Sequence, residues 1–385
     1  MDEAEAPVRV ETGFFSPGDF TTEGGVRIPS VQVAFESYGT LNAEASNAVL
    51  LFHALTGSQH ACGWNPAVPG TGALWQPENF EGWWERMIGP GKPLDTDRYF
   101  IICANLLGGC YGSSGPCSPH PDGAPWSGRF PLVRAGDQAR INALLLSFLG
   151  VERALLVGPS VGGLVAMAFA ALFPERTKGV VSIGSGWRPL IEHQLSVFEQ
   201  ILAIELDPLY RGGFYPAEDP PARGLALARI IGHKAFVCLQ GLESRVRAEA
   251  GGRYGMLTWY EPTRSTQSYM LHQGTKFARR FDANSYIRIS DMWISFDLLR
   301  TAGAASFSEA MAGCRRHAVP FLVFGIDTDA CFPVAAQEEL AAELTRAGVP
   351  VELRFVRSAK GHDSFLLEPG LYAADLAAFL ARVPA

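Results

Sequence analysis

Charge, ordered cysteine spacing and long apolar runs are all scarce in this chain. Charged residues make up 18% of the 385 residues and hydrophobic ones 48%, a balance that excludes a disordered chain and supplies ample side chain for a large core. There is no basic excess: 32 Lys and Arg stand against 39 Asp and Glu, a formal net charge of −7. That argues against a nucleic-acid partner, although a local basic pocket for a phosphorylated ligand is compatible with it. Cys62, Cys103, Cys110, Cys117, Cys238, Cys314 and Cys331 are odd in number, scattered, and include no C-x-x-C pair. Reduced thiols in a cytoplasmic protein fit this better than disulfides or a zinc site. The N-terminal stretch MDEAEAPVRVETGFF is acidic and lacks the basic and apolar regions of a signal peptide. No apolar stretch approaches the roughly 18–20 residues that cross a bilayer, so no membrane partner is expected. Repeats and low-complexity segments are missing too.

What is there alternates. Strand-like runs at Val31–Ser37, Ala48–His53, Tyr99–Ala104, Ala154–Val157 and Val180–Ile183 are interleaved with helical patterns at Asp137–Leu149 and Gly162–Phe173, the second stopped by Pro174. Near-continuous apolar strands separated by helices predict an α/β fold, a mostly parallel sheet with helices on both faces. From about Trp187 to Phe307 the chain turns rich in Arg, Gln, Tyr and Trp, with Pro and Gly clusters and no buried strand. Strands at Pro320–Gly325 and Val351–Val356 then return, with helices at Val334–Ala347 and Leu371–Arg382. The expected organisation is a discontinuous core, residues 1–186 and 308–385, interrupted by a helical lid at 187–307.

Gly158-Pro159-Ser160-Val161-Gly162 follows one strand and opens a helix. In that context G-x-S-x-G is a nucleophile elbow: glycines permit the sharp turn, and the serine hydroxyl projects at the carboxyl edge of the sheet. A helix cap after a glycine-rich turn is the plainer reading of the same five residues. Chain order favours the elbow, because the strand Pro320–Gly325 runs into a turn carrying Asp327 and Asp329, and the strand Val351–Val356 is followed by Gly361-His362-Asp363. His362 can serve as general base, and either aspartate can hold its imidazole. The other seven histidines read as surface or core residues. An oxyanion hole would take the amide of Val161 and, from the loop Ala54-Leu55-Thr56-Gly57, that of Leu55.

HALTGS (53–58), GWWERMIGPGKPLDTDRYFIICANLLGGCYGSSGP (82–116), GPSVGG (158–163), DANSY (282–286), GIDTDACFP (325–333) and GHDSFLLEP (361–369) together resemble homoserine O-acetyltransferases of the α/β-hydrolase fold, over nearly the whole chain. The resemblance implies ping-pong acyl transfer from acetyl-CoA through Ser160 to the side-chain hydroxyl of L-homoserine, within methionine biosynthesis. No bound cofactor and no metal are implied. Asp329 matches the triad acid, leaving Asp327 as a turn residue. Arg229 matches the position that pairs with the amino-acid carboxylate and Asp363 the one that pairs with its amine, with Thr56 also counted among the substrate-contacting residues. The partners implied are small-molecule substrates and a second copy of the chain, docked through the lid.

Several residues depart from the family pattern. Pro159 and Val161 replace Gly and Met in the elbow, Phe236 stands where a lid tyrosine is usual, Gly136 replaces an arginine before Asp137, and Gly72–Phe80 reads as an insertion. Succinyl-CoA as donor or L-serine as acceptor are therefore rival expectations, the latter because one methylene discriminates by only about 1–3 kcal/mol. An esterase is a further rival, although it has no need of Arg229 and Asp363. An idle binding protein is disfavoured by the intact Ser160, His362 and Asp329.

Overall fold

The computed structural model describes residues 9–240, 242, 246 and 254–383. The first eight residues of the acidic N-terminal stretch and parts of the expected lid between 241 and 253 lie outside the described residues.

Eight strands form one sheet in the order β1-β2-β4-β3-β5-β6-β7-β8. They are β1 Gly13–Thr21, β2 Arg27–Tyr38, β3 Ala48–Leu51, β4 Phe100–Ala104, β5 Ala154–Pro159, β6 Thr177–Ile183, β7 Phe321–Ile326 and β8 Val351–Val356. β2 runs antiparallel to β1 and β4, and all remaining pairs are parallel. The sequence reading misses β1. Its Ser16-Pro17-Gly18 interior looks like a turn, yet at an edge strand a bulge accommodates it: the register with β2 shifts on both sides of Gly18, whose φ is +88°. β3 stops at Leu51, two residues short of the expected end, because the chain leaves the sheet before His53 to build a loop of the site.

Alternation along the central strands feeds two cores. Ala48, Leu50, Ala154 and Leu156 point to one side; Val49, Leu51, Leu155 and Val157 point to the other. The first face is covered by helices α1 (Ala135–Phe148) and α2 (Val161–Leu172). The second is covered by the last helix, Gly370–Arg382, through Tyr372, Leu376, Phe379 and Leu380, together with the loop residues Trp84, Met87, Ile88 and Leu94. Helices α3 (Ile191–Glu205), α4 (Ala222–Phe236), α5 (Ser265–Arg280) and α6 (Ala283–Ile294) all fall between β6 and β7, and no strand is found there among the described residues. Between β7 and β8 lies α7 (Val334–Arg346), and Gly370–Arg382 is α8.

The departure at Gly136 has a structural reason. A Cβ at this position would sit 1.8 Å from Glu23 Oε1 and 2.8 Å from the Thr301 methyl. Glu23 reaches the amino end of α1, where its own amide donates to Asp137 Oδ1 at 2.7 Å. Its carboxylate occupies the space that a side chain at 136 would fill.

Candidate active site

β5 ends at the sheet's carboxyl edge and turns into α2 through Ser160, which adopts φ 55° and ψ −126°. Close approach makes glycine obligatory on both sides of it. A Cβ on Gly158 would lie 2.3 Å from the Gly162 carbonyl oxygen, and one on Gly162 would lie 2.3 Å from that of Phe52. Pro159 is harmless because the amide fixed here is that of Ser160, which donates to Ile183 O at 2.8 Å. Val161 is the first residue of α2, so its amide has no acceptor within the helix.

His362 lies in the helical turn Gly361–Asp363 after β8 and meets the elbow from the side. The Ser160 hydroxyl donates to His362 Nε2 at 2.8 Å, and His362 Nδ1 donates to Asp329 Oδ2 at 2.7 Å. Of the two competing aspartates, the structure brings Asp329 to the imidazole. Asp327 instead accepts the Ser358 amide at 3.0 Å, as a turn residue. His362 is 2% exposed, and its imidazole packs among Phe332, Phe365 and Phe236. Burial pushes its pKa down, but the Asp329 charge and hydrogen bond outweigh this and hold it above the ordinary value.

The loop after β3 forms the opposite wall. His53 anchors it: Nδ1 donates to Ala54 O at 2.8 Å, and Nε2 accepts the Leu106 amide at 3.2 Å. These partners require the neutral imidazole, and burial lowers its pKa to about 4. Leu55 and Thr56 thereby face Ser160 across a cavity of about 300 Å³.

Arg229, Phe236 and Asp363 line the same cavity. Arg229 and Asp363 form no ion pair with each other among the described residues. Burial lowers the Arg229 pKa, with the Asp363 charge opposing it, and burial raises that of Asp363, with Arg229 opposing. The guanidinium lies over two rings, 5.2 Å from Phe236 and 5.0 Å from Phe277. The cavity therefore brings the Ser160 hydroxyl, hydrogen-bonded to an imidazole, together with the loop residues Leu55 and Thr56 and with Arg229 and Asp363.

The sequence reading missed several residues here. His193 of α3 donates through Nε2 to Cys331 O and accepts the Leu190 amide at Nδ1, pinning the loop that presents Asp329. Lys276, Arg280, Glu78 and Glu81 also line the cavity. For Arg280 a signal existed, its place just before the DANSY motif, while for His193 none did.

The alpha/beta hydrolase fold family model matches residues 47–369. A homoserine O-acetyltransferase of Rhodospirillum rubrum is 37% identical over 363 residues, covering 93% of this chain and 89% of the relative. A homoserine O-succinyltransferase of Acidithiobacillus ferrooxidans is 36% identical over 366 residues, covering 94% and 92%. The chain belongs to the homoserine O-acyltransferases of the α/β-hydrolase fold. Among solved structures, the homoserine O-acetyltransferase of Bacillus anthracis superposes with a TM-score of 0.86 at 26% identity, covering 98% of this chain and 99% of that one. Members of this family with either acyl donor in their names thus stand equally near in sequence.

Proposed function

We propose that the protein transfers the acetyl group of acetyl-CoA to the side-chain hydroxyl of L-homoserine, in methionine biosynthesis. The observation that carries this reading is the hydrogen-bonded set Ser160, His362 and Asp329 opening into one cavity with Arg229 and Asp363. His362 Nε2 takes the Ser160 proton as Oγ bonds to the thioester carbonyl carbon, and the developing oxyanion is held by the Leu55 and Val161 amides. Collapse breaks the C–S bond, and the imidazolium returns the proton to the departing thiolate. Homoserine then enters, its carboxylate on Arg229, its ammonium on Asp363, and its chain along Thr56. Its hydroxyl gives a proton to His362, its oxygen attacks the acyl-enzyme, and Ser160 leaves with the proton restored. Acetyl-CoA is a substrate here and no bound cofactor takes part.

Succinyl-CoA is the second reading, favoured by the Acidithiobacillus ferrooxidans relative, with L-serine as the alternative acceptor because Phe236 brings no hydroxyl to the cavity. No single described helix is long and apolar enough to cross a membrane. α3 exposes Ile191, Leu195, Phe198 and Leu202, and Leu206 continues the stripe. A second copy of the chain covering this apolar face makes the protein a cytoplasmic homodimer joined through the lid.

Mass spectrometry after mixing with acetyl-CoA alone tests the reading. An acetyl group on the Ser160 peptide that homoserine discharges as O-acetylhomoserine is the expected result. Absence of the adduct together with direct water-dependent release overturns it in favour of an esterase.

A further inference from the structure

The segment Gly72–Phe80 is anchored beside the site. The Trp75 indole donates to Asn65 O at 2.8 Å and meets the Tyr111 ring edge-on at 5.4 Å. His60 bridges two segments, its Nε2 lying 2.9 Å from Phe80 O and its Nδ1 2.7 Å from Glu36 Oε2. These anchors set the turn Pro77–Asn79 so that Glu78 enters the cavity wall. Facing it is Arg280, the last residue of α5. Its Nη1 donates to the Tyr111 hydroxyl at 3.0 Å and to Thr56 O at 3.4 Å, and its Nε lies 3.8 Å from Glu78 Oε1. Thr56 follows Leu55, so this guanidinium stands beside the loop assigned to the acyl oxyanion.

An arginine at that place, left unpaired, would grip a carboxylate at the far end of an acyl chain in two parallel hydrogen bonds. Glu78 neutralises it. Histidines aside, the charged side chains of the lining number three of each sign, with Arg229, Lys276 and Arg280 against Glu78, Glu81 and Asp363. Resting on the acyl-transfer reading, we propose that Glu78 is a specificity-determining residue that selects an uncharged acyl group by occupying Arg280. A donor with a terminal carboxylate is rejected by charge: its anion meets Glu78, and its natural cation is already paired.

The test compares kcat/KM for acetyl-CoA and succinyl-CoA, each with homoserine, in the native protein, Glu78→Gln and Glu78→Gln/Arg280→Met. The native protein should prefer acetyl-CoA. Glu78→Gln should raise the succinyl-to-acetyl ratio by about tenfold or more, since it removes a like charge a few ångströms from the incoming carboxylate, and the added Arg280→Met should return the ratio toward the native one. A native preference for succinyl-CoA, an unchanged or lowered ratio in Glu78→Gln, or an equal loss with both donors would overturn the proposal, the last showing that Glu78 only supports the loop. Homoserine-dependent acetyl-CoA turnover in the native protein keeps the acyl-transfer reading standing in each Glu78 outcome. Its absence with both donors brings down that reading, and this inference with it.

Discussion

Asp329 and His362 are joined at one oxygen only: Oδ2 accepts from His362 Nδ1 at 2.7 Å, while Oδ1 accepts the amides of Cys331 and Phe332 at 2.7 and 2.8 Å. Three donors thus fix the carboxylate in place, and the imidazole is oriented by a group that cannot swing away. Asp329→Asn keeps the shape but can present an amide N–H to Nδ1, which favours the wrong tautomer. We expect kcat to fall by roughly 10³–10⁴. Asp327→Asn disturbs one turn contact and should cost less than about tenfold. Steady-state rates of the two variants check this, and the reverse ranking would exchange their roles.

The pH profile carries the sign of the same interaction. Only neutral His362 accepts the Ser160 proton, so kcat/KM rises with pH through its pKa. That pKa is raised above 6.5 despite burial, chiefly by Asp329, so the acid limb should reach half its height above pH 6.5. In Asp329→Asn the raising charge is gone while burial remains, and the limb should move to lower pH. A limb unmoved by Asp329→Asn would assign the titration to another group.

Arg229→Ala separates the two half-reactions. The guanidinium is placed for the acceptor carboxylate, so kcat/KM for homoserine should fall by about 10²-fold or more. The burst of thiol from acetyl-CoA alone should stay near native. Rapid-mixing measurement of that burst decides, and its loss would place Arg229 on the donor instead.

At the elbow the prediction concerns stability. Gly158→Ala drives a methyl to within 2.3 Å of the Gly162 carbonyl oxygen, and backbone on both sides must move. Stability should drop by about 1–3 kcal/mol, read by chemical denaturation. An unchanged midpoint would mean that the turn relaxes freely.

Legibility in the sequence followed contact range. Parallel strands buried on both faces, such as Ala154–Pro159, announce themselves by composition, and the elbow by its glycines. β1 stayed hidden because an edge strand tolerates Pro17 and a bulge at Gly18 that pattern reading takes for a turn. Ser160 and His362 were readable from chain order, whereas the choice between Asp327 and Asp329 needed the resemblance and is resolved geometrically by a 2.7 Å hydrogen bond. Glu78, Arg280, His60 and His193 were not assigned to the site, since each acts through partners far away in sequence: His193 holds Cys331 and Arg280 holds Thr56. The consequence of Gly136 was likewise unreadable until Glu23 was seen beside it.

The measurement that bears most directly on the central claim is thiol release from acetyl-CoA and from succinyl-CoA, each with homoserine, with serine and with no acceptor. The account predicts rapid release from acetyl-CoA that depends on homoserine. Equally rapid sustained turnover of acetyl-CoA with no acceptor present, beyond the single equivalent released as the acyl-enzyme forms, would contradict it.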